Sequence, residues 1–568
     1  MSYKETYQQW ADFAELPDYL KTELAGMDEH TKEDAFYTSL EFGTAGQRGL
    51  IGVGTNRMNI YTVRQTTEGL ARLMDAKGEA KKRGVAIAYD SRHFSREFAF
   101  DAARVLALHD IPSYVFESLR PTPELSFAIR ELNTLTGIMI TASHNPAPYN
   151  GYKVYGEDGG QMPPEDADKL TDYINEIEDI FHIERADEAS ELITIIGDDI
   201  DQKYLENVKS VTINQAVIEE FGKNLNIVFT PLHGTGEMLG RKTLAQAGFE
   251  KIAVVEAQAI PDGDFPTLKS PNPESQAAFE LSEKLGREVD ADMLVATDPD
   301  ADRIGVEVRL PNGDYQPLSG NQIGAVLAKY ILEAHNQAGT LPANAAVVKS
   351  IVSTELVTAI TKSYDVKMFN VLTGFKFIAE KIQEFEETGS HTYMMGFEES
   401  FGYLIKPFVR DKDAIQALLL ICEVAAYYKS LGKTLYDGIQ DIYAEYGFYL
   451  ENTVSVTLEG IDGAAQIKAV MDKFRGNQPT AFNGIKVALT EDFLENTATA
   501  ANGSVETLTT PPSNVLKYHL EDGSWIAVRP SGTEPKIKFY IATVGESEAD
   551  AKEKIANIEV EINAFVGE

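Results

Sequence analysis

One unit recurs three times along the chain and restricts its fold more than any other feature. An apolar strand, a polar loop, an amphipathic helix and a second β-rich strand succeed one another in Val85–Ser118, Leu225–Gln258 and Ala345–Gly374. Strands alternating with helices of this length predict right-handed βαβ crossovers and mostly parallel sheets covered on both faces. A further apolar strand follows each unit and runs into an unusual loop: GIMITASHNP, ADMLVATDPDADR and TYMMGFEESFGY. Ligands of open α/β sheets gather beyond the carboxyl ends of the strands, so the three loops are expected to line one cleft. From about Leu450 the unit stops. Short β-rich runs (NTVSVTL, SWIAVR, KIKFYIAT) alternate with helices expected at Gly463–Phe474 and Glu546–Glu561, which indicates a smaller α+β domain. The stretch Thr497–Ser513, rich in Thr, Ala, Asn and Pro, reads as a loop. The expected fold is therefore α/β: three similar, mixed, mostly parallel α/β domains and a C-terminal α+β lid around a central cleft. The expected bounds are 1–207, 208–320, 321–449 and 450–568, in keeping with the four domains that 568 residues suggest.

Charge narrows the partners. A formal net charge of -37 sets up a field that repels nucleic-acid backbones and anionic membranes, so neither is an expected partner. A phosphorylated ligand would have to find a local positive pocket in this acidic molecule. The single cysteine, Cys422, excludes an internal disulfide framework and fits a reducing compartment. The segment MSYKETYQQWADF lacks the apolar core of a secretion signal, and a cytoplasmic location is expected. The longest apolar stretch, Ala414 to Tyr428, falls short of the ~20 residues that span a bilayer and reads as a buried helix.

Four loops carry the candidate chemistry. In ITASHNPAPYNGYKVY, Ser143 ends a buried strand, exposed enough to accept a phosphoryl group; a polar turn built on Ser, Asn and Pro is the plainer reading. A serine-hydrolase elbow would need flanking glycines, which are absent, and His144 is too close in sequence to serve as base for its neighbour. Lys153 lies just beyond; buried near other cations, its pKa would fall into a range suited to proton transfer. ATDPDADRIG places Asp298, Asp300 and Asp302 at alternate positions, which in extended backbone project to one side and suit a hard dication such as Mg²⁺. An EF-hand is excluded, since Arg303 and Arg309 occupy the positions of its glycine and terminal glutamate. GFEESFGY sets Glu398 and Ser400 two apart, a carboxylate and a hydroxyl able to clamp adjacent sugar hydroxyls. RPSGTEPKIKFY offers Arg529, Ser531, Thr533 and the amide of Gly532, the makings of a phosphate nest. FGTAGQRG, around Arg48, is a further small-residue loop with a cation, and HGTGEMLG lacks the third glycine of a dinucleotide fingerprint.

Together and in this order, TASHNP, DPDADR, GFEESFG and RPSGTEP resemble the α-D-phosphohexomutase superfamily and, within it, the phosphoglucomutase and phosphopentomutase branch. The likeness spans nearly the whole chain. It implies four domains, the first three alike and the fourth closing over the cleft. It also implies that Ser143 is a phosphoserine and that Asp298, Asp300 and Asp302 hold a Mg²⁺ that also touches the serine phosphate, with Arg303 beside them. Glu398 and Ser400 would hold sugar hydroxyls; Arg529, Ser531, Gly532 and Thr533 would hold the distal phosphate. Arg48, His144 and Lys153 match catalytic positions, with Lys153 as general acid/base, and Lys376 and Arg410 are placed near substrate. The implied reaction interconverts glucose 1-phosphate and glucose 6-phosphate through glucose 1,6-bisphosphate. Glu399, between Glu398 and Ser400, favours glucose over mannose or N-acetylglucosamine. Pentose or mannose phosphates remain the alternative substrates, and a non-catalytic sugar-phosphate binder or a phosphatase the alternative functions. The partners implied are small sugar phosphates, with the chain working as a monomer or homodimer.

Overall fold

Uninterrupted runs of Val, Ile, Ala and Leu, such as Val85–Tyr89 and Met293–Thr297, form strands buried along their whole length. Parallel strands roofed by helices on both faces require this, because neither face meets water. The computed structural model describes residues 2–43, 46–457, 463–530 and 536–566. Its first sheet holds β1 (Gln47–Leu50), β2 (Val85–Tyr89), β3 (Ser113–Phe116), β4 (Thr136–Ile140), β5 (Tyr149–Tyr155) and β6 (Ile193–Ile196), in the order β1-β5-β4-β2-β3-β6. The second holds β7 (Ile227–Thr230), β8 (Ile252–Val254), β9 (Met293–Thr297), β10 (Ile304–Arg309) and β11 (Tyr315–Pro317), ordered β11-β10-β9-β7-β8. The third is β13-β12-β14-β15, from β12 (Ala345–Ser350), β13 (Lys367–Val371), β14 (Thr392–Glu398) and β15 (Gly402–Leu404).

The three sheets share one plan. The two strands of each repeated unit pair in parallel, β2 with β3, β7 with β8 and β12 with β13. The next strand, β4, β9 or β14, joins the first in parallel on its other side. The chain then reverses into an antiparallel partner, β5, β10 or β15. The reversals are residues 141–148, 298–303 and 399–401, the three loops singled out by sequence, so repetition of the fold presents them at equivalent places.

The fourth sheet is antiparallel: β16 (Phe448–Thr457), β17 (Ala481–Phe482), β18 (Ile485–Asp492), β19 (Thr497–Ala500), β20 (Val505–Thr507), β21 (Leu516–Leu520), β22 (Trp525–Pro530) and β23 (Lys536–Gly545). Helices Gly463–Gly476 and Glu548–Val566 contribute Phe474, Ile558 and Ile562 to the core beneath it. The stretch expected as a loop, Thr497–Ser513, instead contains the β19-β20 hairpin. Its β-branched threonines suit strands, and Asn502-Gly503, with Gly503 at φ +85, supplies the left-handed turn. The opposite face of this sheet meets the third: Trp525 and Tyr540 pack with Ile351, Val352 and Leu372. The helix Ala414–Ser430 is buried in the main core, and no single helix among the described residues is long and apolar enough to cross a membrane.

One buried group in the second sheet gives a pH-dependent expectation. Glu307 on β10 is 0% exposed and neither carboxyl oxygen has a hydrogen-bond partner among the described residues. Burial, and next the charge of Glu283, push its pKa from 4.5 up to about 8. The folded state therefore holds a proton that the unfolded chain releases near pH 4.5, and stability falls as pH rises from about 4.5 to 8. At about 1.4 kcal/mol per pH unit, the penalty at neutral pH is roughly 3 kcal/mol. Glu307→Gln is expected to be more stable than wild type at pH 8 and equal to it near pH 4.5, as measured by denaturant unfolding at both pH values; a gap independent of pH would refute the assignment.

Candidate active site at the strand-end loops

The nucleophile loop is set by its first two residues. Thr141 Oγ accepts the Ser143 N–H at 2.8 Å, tightening the turn, and Ser143 takes a left-handed conformation, φ +51, that few non-glycine residues adopt. Ser143 is 3% exposed, and its hydroxyl donates to Asp298 Oδ2 at 2.8 Å across the boundary between the first two sheets. Adjacency in sequence was read as placing His144 badly to act as base for Ser143; the left-handed turn brings its Nδ1 to 3.1 Å from Ser143 Oγ. Burial, then the Arg303 and Arg48 guanidiniums, hold the His144 pKa well below the usual histidine range, so the ring is neutral. Arg48, exposed on β1, donates to Asn145 Oδ1 at 2.9 Å.

The second loop holds the three aspartates together. Asp298, Asp300 and Asp302 are buried, and one carboxylate oxygen from each lies within 4.8 Å of the others. The close approach depends on Gly234 in the HGTG segment, where a Cβ would meet Pro299 Cα at 2.3 Å. Asp298 Oδ1 accepts the backbone N–H groups of Asp302 and Arg303, at 3.1 and 3.0 Å. Burial, and the charges of Asp300 and Asp302, push the Asp298 pKa well up. Burial alone would raise Asp300 too, but the Lys153 ammonium holds it below the usual carboxylate range. Asp300 Oδ1 and Asp302 Oδ1 are buried and have no hydrogen-bond partner among the described residues. Orphaned carboxylate oxygens are rare in native cores, and a hard dication satisfies them, so the donor set fits a metal ion.

A lowered pKa for Lys153 was conditional on cations packed around it. Its direct partners are carboxylates: Nζ lies 2.8 Å from Asp300 and 3.7 Å from Asp302. Lys412, missed by the sequence reading, closes the far side of the cluster, 3.1 Å from Asp302 and 2.9 Å from Asp411. Asp411 in turn accepts the Tyr155 hydroxyl at 2.9 Å. The charged run RDKD before a buried helix was the available signal. Thr122, also missed, donates to Asp300 Oδ2 at 3.0 Å.

Arg303 links the second loop to the third. Its guanidinium donates to Glu274 at 2.6 Å and to the Ser400 carbonyl at 3.1 Å, while Nε, buried and without a hydrogen bond among the described residues, lies 3.9 Å from Asp302 Oδ1. Glu398, 6% exposed, accepts the Gly374 N–H at 2.7 Å. Glu399 accepts from the Ser350 and Ser353 hydroxyls at 2.9 and 3.3 Å, so it braces the loop. Two assignments do not join this cluster. Arg410 is 0% exposed, its guanidinium committed to Glu386 at 2.5 Å and to the Pro407 carbonyl, which removes it as a substrate ligand in this conformation. Lys376 is half-buried; its charged neighbours are Glu380 and Asp168. Arg529 lies on β22, where its guanidinium reaches Tyr540, whose hydroxyl also feels Glu399 and Glu398. Ser531, Gly532 and Thr533 lie outside the described residues. A surface cavity of about 730 Å³, between the N-terminal helices and the segment Ile177–His182, shares no residue with the cluster.

Comparison with known proteins agrees with this architecture. Models of the phosphoglucomutase/phosphomannomutase family match in four pieces: alpha/beta/alpha domains I, II and III at residues 39–180, 202–310 and 319–446, and the C-terminal domain at 464–564. The phosphoglucomutase of Staphylococcus aureus strain USA300 is 39% identical over 528 residues, 92% of this chain and 93% of that protein. That of Staphylococcus epidermidis is 40% identical over 517 residues, 90% and 92% of the two chains. Among solved structures, the open form of parafusin, a phosphoglucomutase from Paramecium, shares the fold at 19% identity, with a TM-score of 0.70 over 94% of this chain and 96% of that one. The chain thus belongs to the phosphoglucomutase/phosphomannomutase family of α-D-phosphohexomutases, isomerase-class phosphotransferases, and within it to the phosphoglucomutase branch.

Proposed function

We propose that this protein interconverts glucose 1-phosphate and glucose 6-phosphate, with Ser143 as the phosphoryl carrier and glucose 1,6-bisphosphate as the intermediate. The observation that carries the proposal is the Ser143 hydroxyl, 2.8 Å from a buried cluster of three aspartates with unpartnered oxygens. Identity of 39% to a phosphoglucomutase over most of the chain supports glucose as the sugar. In the first half-reaction, phosphorylated Ser143 gives its phosphoryl group to the 6-hydroxyl oxygen of glucose 1-phosphate; Lys153, entering the step as the neutral amine, takes the hydroxyl proton, and the Ser143 oxygen released from the phosphoryl group is reprotonated. The bisphosphate turns in the cleft, and its other phosphate returns to Ser143. Asp298, Asp300 and Asp302, with the Ser143 oxygen, would hold Mg²⁺, which neutralises charge on the transferring group. Arg303 and Arg48 supply fixed positive charge beside the serine. Glu398 and Ser400 orient the sugar hydroxyls, and Arg529, Ser531, Gly532 and Thr533 hold the phosphate that is not reacting. A single buried cysteine supports a cytoplasmic setting. The deciding experiment is a coupled assay with glucose, mannose and ribose 1-phosphates, given Mg²⁺ and a trace of bisphosphate; a preference for mannose or ribose over glucose would overturn the substrate assignment.

Two variants test individual roles. Lys153→Met is expected to accept phosphate on Ser143 yet turn over ~10² to 10³-fold more slowly, the usual worth of a general acid or base. A wild-type rate and pH profile in that variant would move the proton transfer elsewhere. Arg529→Ala is expected to raise the KM for glucose 1-phosphate ~30-fold or more, since losing a charge-assisted phosphate contact costs ~2 to 5 kcal/mol. More bisphosphate should escape per turnover, and if neither quantity changes, Arg529 does not hold phosphate.

A further inference from the structure

We infer that Arg92 is a positioning residue for phosphoryl transfer, one that locks the nucleophile loop into the turn aiming Ser143 Oγ at the aspartate cluster. The inference rests on the role of Ser143 given above but concerns a residue outside the four motifs. The Arg92 side chain is 0% exposed and gathers four backbone carbonyls. Nη2 donates to Ser143 O at 2.6 Å and Asn145 O at 2.5 Å; Nη1 donates to Pro146 O at 2.9 Å and Tyr149 O at 3.0 Å. The whole reversal between β4 and β5 is thereby gathered on one planar cation.

The same network reaches Ser143 from its other side. Asp90 Oδ2 lies 3.3 Å from Arg92 Nε and accepts the Thr141 hydroxyl at 2.6 Å, and Thr141 Oγ accepts the Ser143 N–H. Asp90 Oδ1 accepts the Arg92 N–H and the Ser95 hydroxyl, at 2.9 and 2.8 Å. The N–H and the carbonyl of Ser143 therefore both lead to one buried Asp90–Arg92 pair. This matters because the left-handed backbone of Ser143 is unfavourable for a residue with a Cβ and persists only when its surroundings over-determine it. Arg92 also stacks on Phe265, ring centroid at 5.0 Å, so the second domain presses on the same guanidinium. A lysine has the charge but not the fork: one ammonium cannot reach carbonyls spread over seven residues.

The test uses the full-length protein and compares Arg92→Lys with wild type in a coupled assay, with phosphorylation of Ser143 by glucose 1,6-bisphosphate followed by mass spectrometry. Arg92→Lys is expected to lower kcat ~100-fold and slow phosphorylation of Ser143 in parallel, while the KM for glucose 1-phosphate stays within about threefold, because the ligands of substrate are untouched. A folded Arg92→Lys protein with wild-type kcat, or one altered in KM alone, would overturn the inference. If Arg92→Lys does not fold, Thr141→Val, which cuts the N–H side of the ring without changing shape, decides: kcat about tenfold lower supports it and an unchanged kcat ends it. Absence of phosphate on Ser143 in the wild type would instead count against the role of Ser143, which separates the two failures.

Discussion

Replacing Ser143 with alanine is expected to lower turnover by at least ~10⁴-fold, because it removes the only route by which one phosphoryl group leaves the sugar as another arrives. The loss should be chemical, not structural. Ser143 is a single buried hydroxyl whose side-chain partners are Asp298 and His144, and Asp298 keeps the backbone N–H groups of Asp302 and Arg303 when that donor is lost. Alanine meets the same left-handed backbone, and Arg92 and Thr141 hold that backbone through main-chain groups that the substitution leaves in place. Melting should therefore shift by a few degrees at most, and the Kd for glucose 1-phosphate should be measurable by binding even though turnover is not. A coupled assay together with peptide mapping of phosphoserine checks both expectations. Wild-type turnover in Ser143→Ala would remove Ser143 from the mechanism.

Chelation of divalent metal is expected to abolish activity, with Mg²⁺ restoring it, and Asp300→Asn is expected to raise the Mg²⁺ concentration needed by ~100-fold or more. Three buried carboxylates share a small volume, and among the described residues two ammonium groups, Lys153 and Lys412, contact them directly, with Arg303 Nε 3.9 Å from Asp302. Removing one carboxylate lowers the attraction for a dication and leaves Lys153 without its nearest partner, so both terms weaken the site. Stability supplies a readout that does not depend on turnover. A ligand bound at 100 times its dissociation constant stabilises a protein by about 2.7 kcal/mol. Saturating Mg²⁺ should therefore raise the melting temperature of wild type and have little effect on Asp300→Asn. Full activity in the presence of excess chelator, or equal stabilisation of both proteins, would contradict a metal held by these aspartates.

Much of this site was legible from local sequence. Its aspartates alternate, its serine follows a buried strand, and its loops recur after the same strand in three units, so the convergence of 141–148, 298–303 and 399–401 followed from repetition and from the rule that strand ends gather ligands. What misled was local too. Adjacency suggested that His144 was badly placed to act as base for Ser143, but a left-handed residue reverses the side-chain direction that an extended strand would impose and brings the two side chains into contact. Composition suggested a loop at Thr497–Ser513, but threonine is a good strand former and the hairpin needs only one short turn. Arg410 and Lys412 are two residues apart with similar charge, and only packing tells them apart: one is committed to Glu386, the other to Asp302.

Sequence by itself determined the repeated unit, the strands buried on both faces, the reactive residue types and their order along the chain, because each depends on neighbours a few residues apart. Tertiary structure alone decided which charges meet. Ser143 finds Asp298 155 positions away, Lys153 finds Asp300 147 away, and Tyr155 finds Asp411 256 away. No spacing rule reaches that far. Those pairs exist because three similar sheets, each carrying its loop at the same end, pack with those ends together, and a buried carboxylate must then take whichever cation or hydroxyl the neighbouring sheet presents.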